Sequence, residues 1–128
     1  MLWVNARPLV AVLVGGLLGS AARAGVGHYL PAAPGSVPVA TLGVNLIGSL
    51  LLGFYLARRE RATTRPWSVQ FWAIGVLGSF TTFSAFSLDV IQLIQARRAL
   101  VALGYLAASI VGGLTLALLG ERIGSILR

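Results

Sequence analysis

The sequence has no cysteine and no lysine, and it is poor in acidic residues. Its 128 residues include ten basic residues, all of them arginine, three acidic residues and one histidine, which gives a formal net charge of +7. Without cysteine, a disulfide framework and a thiolate metal site are excluded. With only His28 and the carboxylates of Glu60, Asp89 and Glu121, no constellation for hydrolysis or redox chemistry appears. An enzyme is therefore not expected.

Apolar residues make up most of what is present. The chain is 57% hydrophobic, and its mean hydropathy is +0.88. Since a soluble domain of this size cannot bury that much apolar surface, the composition predicts a membrane protein. The arginines cluster between apolar runs, without an aromatic-rich basic surface. This pattern favours membrane topology, rather than nucleic-acid binding, as the explanation of the positive charge.

Four apolar segments divide the chain at about residues 8–29, 39–57, 67–95 and 100–119. Each is long enough for the roughly 20 residues that cross a bilayer as a helix. They predict an all-α membrane protein with a single four-helix domain over residues 1–128. The first segment resembles a signal peptide, but its apolar character continues to Tyr29, so cleavage is not expected.

The arginines are distributed unequally between the two sides that these spans define. One side, with both termini, carries Arg7, Arg58, Arg59, Arg61, Arg65, Arg122 and Arg128, and the other carries Arg23, Arg97 and Arg98. The bias favours termini in the cytoplasm. Glu60 and Glu121 lie among arginines at span ends, where charge pairing explains them.

The third segment has an unusual centre. Residues 75–87, GVLGSFTTFSAFS, combine two glycines and five hydroxyl side chains with Phe80, Phe83 and Phe86. The whole segment is also too long for one straight span. It predicts a helix break near residues 78–82, which is tolerated at membrane depth only where protein or a water-filled cavity surrounds the freed backbone.

Small residues recur at helical spacing in the other spans. The first span has Gly15 and Gly19, the second has a stripe of Thr41, Asn45, Ser49 and Gly53, and the fourth has Ser109, Gly113 and Ala117. Such stripes allow helix backbones to approach closely in lipid. They predict helix packing. Because four short helices cannot enclose a wide aqueous path, an oligomer is also expected.

Three features within the spans could serve function, and each has an alternative. The amide of Asn45 can donate to an anion, or it can make an interhelical hydrogen bond. Asp89 is either a functional membrane carboxylate or a residue that reaches the interface or an arginine. Phe83 and Phe86 either pack in the core or against lipid, or present positive ring edges to a small anion.

The whole chain resembles the Fluc (CrcB) fluoride channel family. Three segments carry the resemblance: residues 15–23, GGLLGSAAR; residues 41–48, TLGVNLIG; and residues 78–86, GSFTTFSAF, which is the most specific. The resemblance implies a fluoride-selective channel of the bacterial inner membrane that passively exports toxic cytoplasmic fluoride. It further implies an antiparallel, dual-topology homodimer with two pores and a structural Na⁺ at its centre.

The resemblance also assigns roles to individual residues. The implied fluoride pore is lined by Asn45, Thr82, Phe83, Ser84, Phe86, Tyr105 and Ser109. Arg23 would lie near the vestibule, and the backbone carbonyls of Gly78 and Thr81 would bind the Na⁺. The chain departs from the family pattern in Gly113, where a third hydroxyl is common, and in Ser79 and Ala85. The arginine bias leaves a heterodimer open.

Two other functions were weighed against a channel. A proton-coupled small multidrug transporter needs an embedded carboxylate in the first span, and residues 8–29 contain none. A non-catalytic membrane subunit held together by small-residue stripes would explain neither Asn45 nor the phenylalanine repeat.

Overall fold

The computed structural model describes residues 6–59, 65 and 67–127. Within these residues every regular element is helical. The helices are α1 (Ala6–Tyr29), α2 (Val39–Arg59), α3 (residues 67–80), α4 (Phe83–Gln95) and α5 (Ala99–Ile126). Since α3 and α4 together form one interrupted segment, the described residues contain four helical segments that are long and apolar enough to cross a membrane.

The observed helices start close to the predicted spans, but α5 extends well beyond its predicted end. The prediction stopped at Leu119, where the apolar run gives way to charge, whereas the helix continues to Ile126. The last turns of α5 still pack on α2, because Gly120 and Gly124 lie against the backbone of α2 near Leu50 and Phe54. Packing, and not the end of the apolar run, therefore sets the length of this helix.

One packing seam joins α1 to α3, and glycines on α1 close it. A Cβ atom added at Gly15 would collide with the backbone carbonyl of Phe71, and one added at Gly19 would collide with that of Val76. Since lipid provides no hydrophobic drive between helices, this close backbone approach is what holds the pair together. The predicted packing role of Gly15 and Gly19 is confirmed.

The second seam joins α2 to α5 and brings the two other predicted stripes together. A Cβ atom added at Gly53 would collide with the backbone carbonyl of Ala117, and one at Gly113 would lie 3.6 Å from the Oγ atom of Ser49. The small residues of the two stripes therefore face each other along the seam. The helix packing that their spacing predicted is confirmed.

The two loops at one end of the bundle lie side by side. Gly35, in the loop after α1, lies next to Ala96 and Arg98, in the turn between α4 and α5. Arg97 in this turn has a φ of 58°. The turn is a Schellman motif, since the N–H of Arg97 donates to Ile94 and that of Arg98 to Leu93, both at 2.9 Å.

Helix α3 changes its geometry along its length. It starts with an α-helical turn at Trp67–Val69, continues as a π-helix at Gln70–Leu77 and ends with an α-helical turn at Gly78–Phe80. The π-helical part is the part that lies against the glycines of α1, and a Cβ atom added at Gly75 would lie 2.9 Å from the Cα atom of Gly15. No pattern in the sequence indicates this π-helix.

Candidate functional site

The third segment is broken at two consecutive threonines. Helix α3 ends at Phe80, and α4 begins at Phe83; between them, Thr81 (φ −80°, ψ 157°) and Thr82 (φ −149°, ψ 121°) are extended. The hydroxyl of Thr82 caps α4 by accepting from the N–H of Ala85 at 3.1 Å. The predicted helix break near residues 78–82 is confirmed.

Asn45 holds the break from α2. Its Nδ2 donates to the backbone carbonyl of Thr82 at 3.0 Å, and its Oδ1 accepts from the N–H of Thr82 at 2.8 Å. The interhelical hydrogen bond weighed for this residue therefore exists. Because an amide nitrogen carries two N–H groups, the second one remains for another acceptor.

Arg23 reaches the break from a different helix, α1. Its Nε donates to the backbone carbonyl of Ser79 at 3.0 Å. Arg23 follows Gly15 and Gly19 at steps of four, so it extends the face of α1 that packs on α3. A vestibule position for this residue stays a prediction, but the side chain is engaged with the last turn of α3.

A groove of about 350 Å³ opens beside the break. All of its lining residues are uncharged: Asn45, Gly48, Ser49, Leu52, Ala73, Leu77, Gly78, Thr81, Thr82, Phe83, Phe86, Ser109 and Ile110. The structure thus brings together five of the seven predicted pore residues and both predicted cation-binding residues. Ser84 and Tyr105 do not line this groove.

Besides the second N–H of Asn45, two groups in the groove could contact a ligand: the hydroxyl of Ser109 and the ring of Phe83. The Oγ atom of Ser109 is buried and has no hydrogen-bond partner among the described residues. The side chain of Phe83 is 80% exposed, although it lies next to Phe86, with 5.8 Å between their ring centroids. Both groups could contact a ligand in the groove without first breaking an existing hydrogen bond.

Beyond the groove, the ring of Phe86 also contacts an aromatic side chain of α5, that of Tyr105. The ring centroids of Phe86 and Tyr105 are 5.5 Å apart. Tyr105 is buried, and its hydroxyl donates to Oδ2 of Asp89 at 3.1 Å. Asp89 therefore has a defined partner on α5. Ser84 lies at the start of α4, where its hydroxyl pairs with that of Thr82 at 3.1 Å.

Comparison with known proteins identifies the family. The family model described as CrcB-like protein, Camphor Resistance (CrcB), matches residues 10–121. The chain belongs to the CrcB family. The resemblance read from the three sequence segments is confirmed.

Relatives of this CrcB-family chain share much of their length with it. It is 35% identical over 119 residues, 91% of each chain, to a protein of Oceanobacillus iheyensis. It is 40% identical to one of Thermus thermophilus over 117 residues, 91% of this chain and 92% of the relative. Both relatives are named fluoride-specific ion channel FluC, which is the name of a channel and not of an enzyme. With its four apolar helical segments, this member of the family is a multi-pass membrane protein.

Two carbonyls of the break fit the cation expected for the CrcB family. Among the described residues, no donor reaches the backbone carbonyls of Gly78 and Thr81. Both residues line the groove, and carbonyl oxygens near the end of a helix carry partial negative charge. Carbonyls freed at a helix break within a membrane cost free energy unless protein, an ion or water in a cavity satisfies them. The oxygen donors suit a hard cation such as Na⁺.

Sequence reasoning found most of the groove but missed several pairings. It gave no sign that Arg23 reaches Ser79, or that Tyr105 donates to Asp89. Residues of each pair lie on different helices, so no local spacing connects them. The predicted charge pairing of Glu60, and the positions of Arg61 and Arg128, lie outside the described residues.

Proposed function

We propose that this protein is a fluoride-selective channel, through which fluoride leaves the bacterial cytoplasm passively across the inner membrane. The observation that carries this proposal is the uncharged groove at the helix break, which gathers Asn45, Phe83, Phe86 and Ser109 in one lining. The curated relatives named as fluoride-specific channels support it independently.

The groove offers the kinds of contact that fluoride needs. Fluoride is small and strongly hydrated, so a path through the membrane must replace its water. The second N–H of Asn45 and the buried hydroxyl of Ser109 can donate to the ion. The rings of Phe83 and Phe86 add electropositive edges. Since no lining residue is charged, no contact would hold the anion too tightly for it to leave.

We further propose that two copies of the chain assemble as an antiparallel, dual-topology homodimer with two pores. Within one copy, the groove is open on one side, and Phe83 is 80% exposed there despite its role in the lining. A second copy placed against this side would complete the wall. The inverted arrangement follows the family resemblance alone, since the arginine bias between the two sides favours one orientation.

Gly78 and Thr81 are the residues that would hold the Na⁺ at the centre of this dimer, through their backbone carbonyls. Bound there, the ion would balance the partial negative charge where each α3 ends. One copy provides two such oxygens, so ligands from both copies would be required to surround the cation. Asn45 and the cap of Thr82 hold the extended residues between the two helices in place.

Ion efflux from liposomes tests the channel proposal. Purified protein is reconstituted into liposomes loaded with potassium fluoride or potassium chloride, and valinomycin balances the charge. We expect rapid, complete loss of fluoride from protein-containing liposomes and no loss of chloride above the protein-free background. Equal efflux of the two anions would exclude selectivity. Retention of both anions would favour a non-conducting membrane subunit.

A further inference from the structure

Side chains from two helices donate hydrogen bonds to two of the backbone carbonyls at the break, which are called occupied below. Arg23 on α1 donates to the carbonyl of Ser79, and Asn45 on α2 donates to that of Thr82, each at 3.0 Å. These two donors reach the break from different helices. Together they fix the end of α3 and the start of α4 relative to the rest of the bundle.

Three carbonyls at the break have no donor among the described residues, those of Gly78, Phe80 and Thr81. Two of them, on Gly78 and Thr81, directly precede an occupied carbonyl. Gly78 precedes Ser79, and Thr81 precedes Thr82. Successive peptide planes share a Cα atom, so a hydrogen bond that fixes one plane restricts the orientation of the plane before it. The occupied carbonyls are therefore placed where they can determine the direction of the free ones.

We propose that Arg23 is a positioning residue for the cation site: by holding the Ser79 carbonyl, it directs the Gly78 carbonyl into the groove. The proposal rests on the proposed function for the cation itself, but it assigns a separate role to Arg23. In this role the planar Nε–H group matters, and the charge of the guanidinium does not.

The position of Arg23 supports this role. A positive side chain beside a cation site weakens cation binding by repulsion, so affinity for the cation does not explain an arginine here. The packing of α1 on α3 does explain why an arginine lies at this position. Gly19 on α1 allows the backbone of α3 to approach as far as Phe80, and one turn later Arg23 lies over the end of that helix. The alternative is an electrostatic role, in which the charge of Arg23 collects anions near the pore.

Two substitutions of matched length separate the two roles. In Arg23→Gln, the amide nitrogen stands the same number of bonds from the backbone as Nε does, so the donor is kept and the charge is removed. In Arg23→Met, a side chain of the same length has neither donor nor charge. Arg58→Met, at the exposed end of α2, controls for the loss of one arginine elsewhere.

The measurement is the thermal stability of the purified protein as sodium chloride replaces N-methylglucamine chloride at constant ionic strength. The sodium concentration at half-maximal stabilisation should stay within about threefold of wild type in Arg23→Gln and in the control. In Arg23→Met it should rise about tenfold, as expected when a partly buried carbonyl loses its hydrogen-bond donor. If the Met variant cannot be purified, Arg23→Lys takes its place. Its nitrogen lies one bond further out, so its midpoint should also rise.

The proposal is overturned if Gln and Met give the same midpoint, if Lys matches wild type, or if sodium does not stabilise the wild-type protein. Fluoride efflux is measured on the same wild-type preparation, so that the two proposals are judged separately. Efflux without sodium stabilisation would refute the positioning role and leave the channel standing. The predicted sodium series without efflux would do the reverse.

Discussion

The helix seams and the helix break are held together in opposite ways. Along the seams, α1 on α3 and α2 on α5, glycines leave out side chains so that backbones touch, as at Gly19 and Gly120. At the break, polar side chains add hydrogen bonds between the helices, as Asn45 does to Thr82. The seams therefore depend on missing atoms, whereas the break depends on hydrogen bonds. The groove that gathers Asn45, Phe83 and Ser109 lies beside the hydrogen-bonded break.

A methyl group added to a seam should have the largest effect on stability. In Gly120→Ala, the new Cβ would collide with the backbone carbonyl of Leu50, and backbone cannot move aside as a side chain can. We expect a loss of about 3 kcal/mol in the free energy of unfolding. The measurement is equilibrium unfolding in mixed detergent micelles.

Gly104→Ala is the matched control for this substitution, since it lies in the same helix. A Cβ atom there would meet nothing within 4 Å. Because alanine favours helix over glycine, Gly104→Ala should be neutral or stabilising by about 0.5 kcal/mol. Equal destabilisation of the two variants would show that helical glycines matter here for a reason other than contact.

A change at the break should destabilise the protein less than one in the seam, but it should also stop conduction. In Asn45→Asp, an oxygen replaces the nitrogen that donates to Thr82, so two acceptors would face each other. We expect a loss of about 2 kcal/mol in unfolding free energy, together with loss of fluoride efflux.

Ser49→Ala, one turn further along α2, provides the comparison for Asn45→Asp. Its hydroxyl donates only within its own helix, to the carbonyl of Asn45 at 2.8 Å. The Ser49→Ala variant should lose less than about 1 kcal/mol, because such a bond competes with the helix's own backbone bonds. An Asn45→Asp protein as stable as wild type would contradict the view that Asn45 holds the break.

The turn between α4 and α5 is a third kind of junction, held by backbone hydrogen bonds alone, and it should show the smallest effect. Arg97 has a φ of 58°, at the position of a Schellman motif where glycine is usual. Arg97→Gly should therefore stabilise the protein by up to about 1 kcal/mol. The same unfolding assay measures it. A destabilised variant would mean that the Arg97 side chain makes a contact that outweighs its backbone strain.

The sequence predicted features of both regions where the pattern lies within one helix, and it did not predict those that depend on contacts between helices. The seams were predictable, because glycines at steps of four within one helix are a local pattern, as at Gly15 and Gly19. The break was predictable because residues 78–82 combine glycine with hydroxyls inside an apolar span. The π-helix at Gln70–Leu77 and the pairing of Arg23 with Ser79 were not. Both depend on how one helix packs against another, and residue spacing within a single helix does not predict that packing.

The central claim is that the groove at the break is the path of the anion, and Phe83 tests it most directly. Phe83 lies in the groove and is 80% exposed, so Phe83→Ile can remove the ring edge without disturbing the core. Leu88→Ile, on the same helix, 54% exposed and outside the groove, is the control.

The measurement is the initial rate of fluoride efflux from liposomes reconstituted at the same low ratio of protein to lipid, with equal amounts of folded protein confirmed beforehand. We predict that Phe83→Ile slows fluoride efflux at least about tenfold, the effect of losing about 1.4 kcal/mol of stabilisation along the path, and that Leu88→Ile conducts as wild type does. Wild-type efflux from Phe83→Ile would contradict the account, because the anion would then cross the membrane by another path.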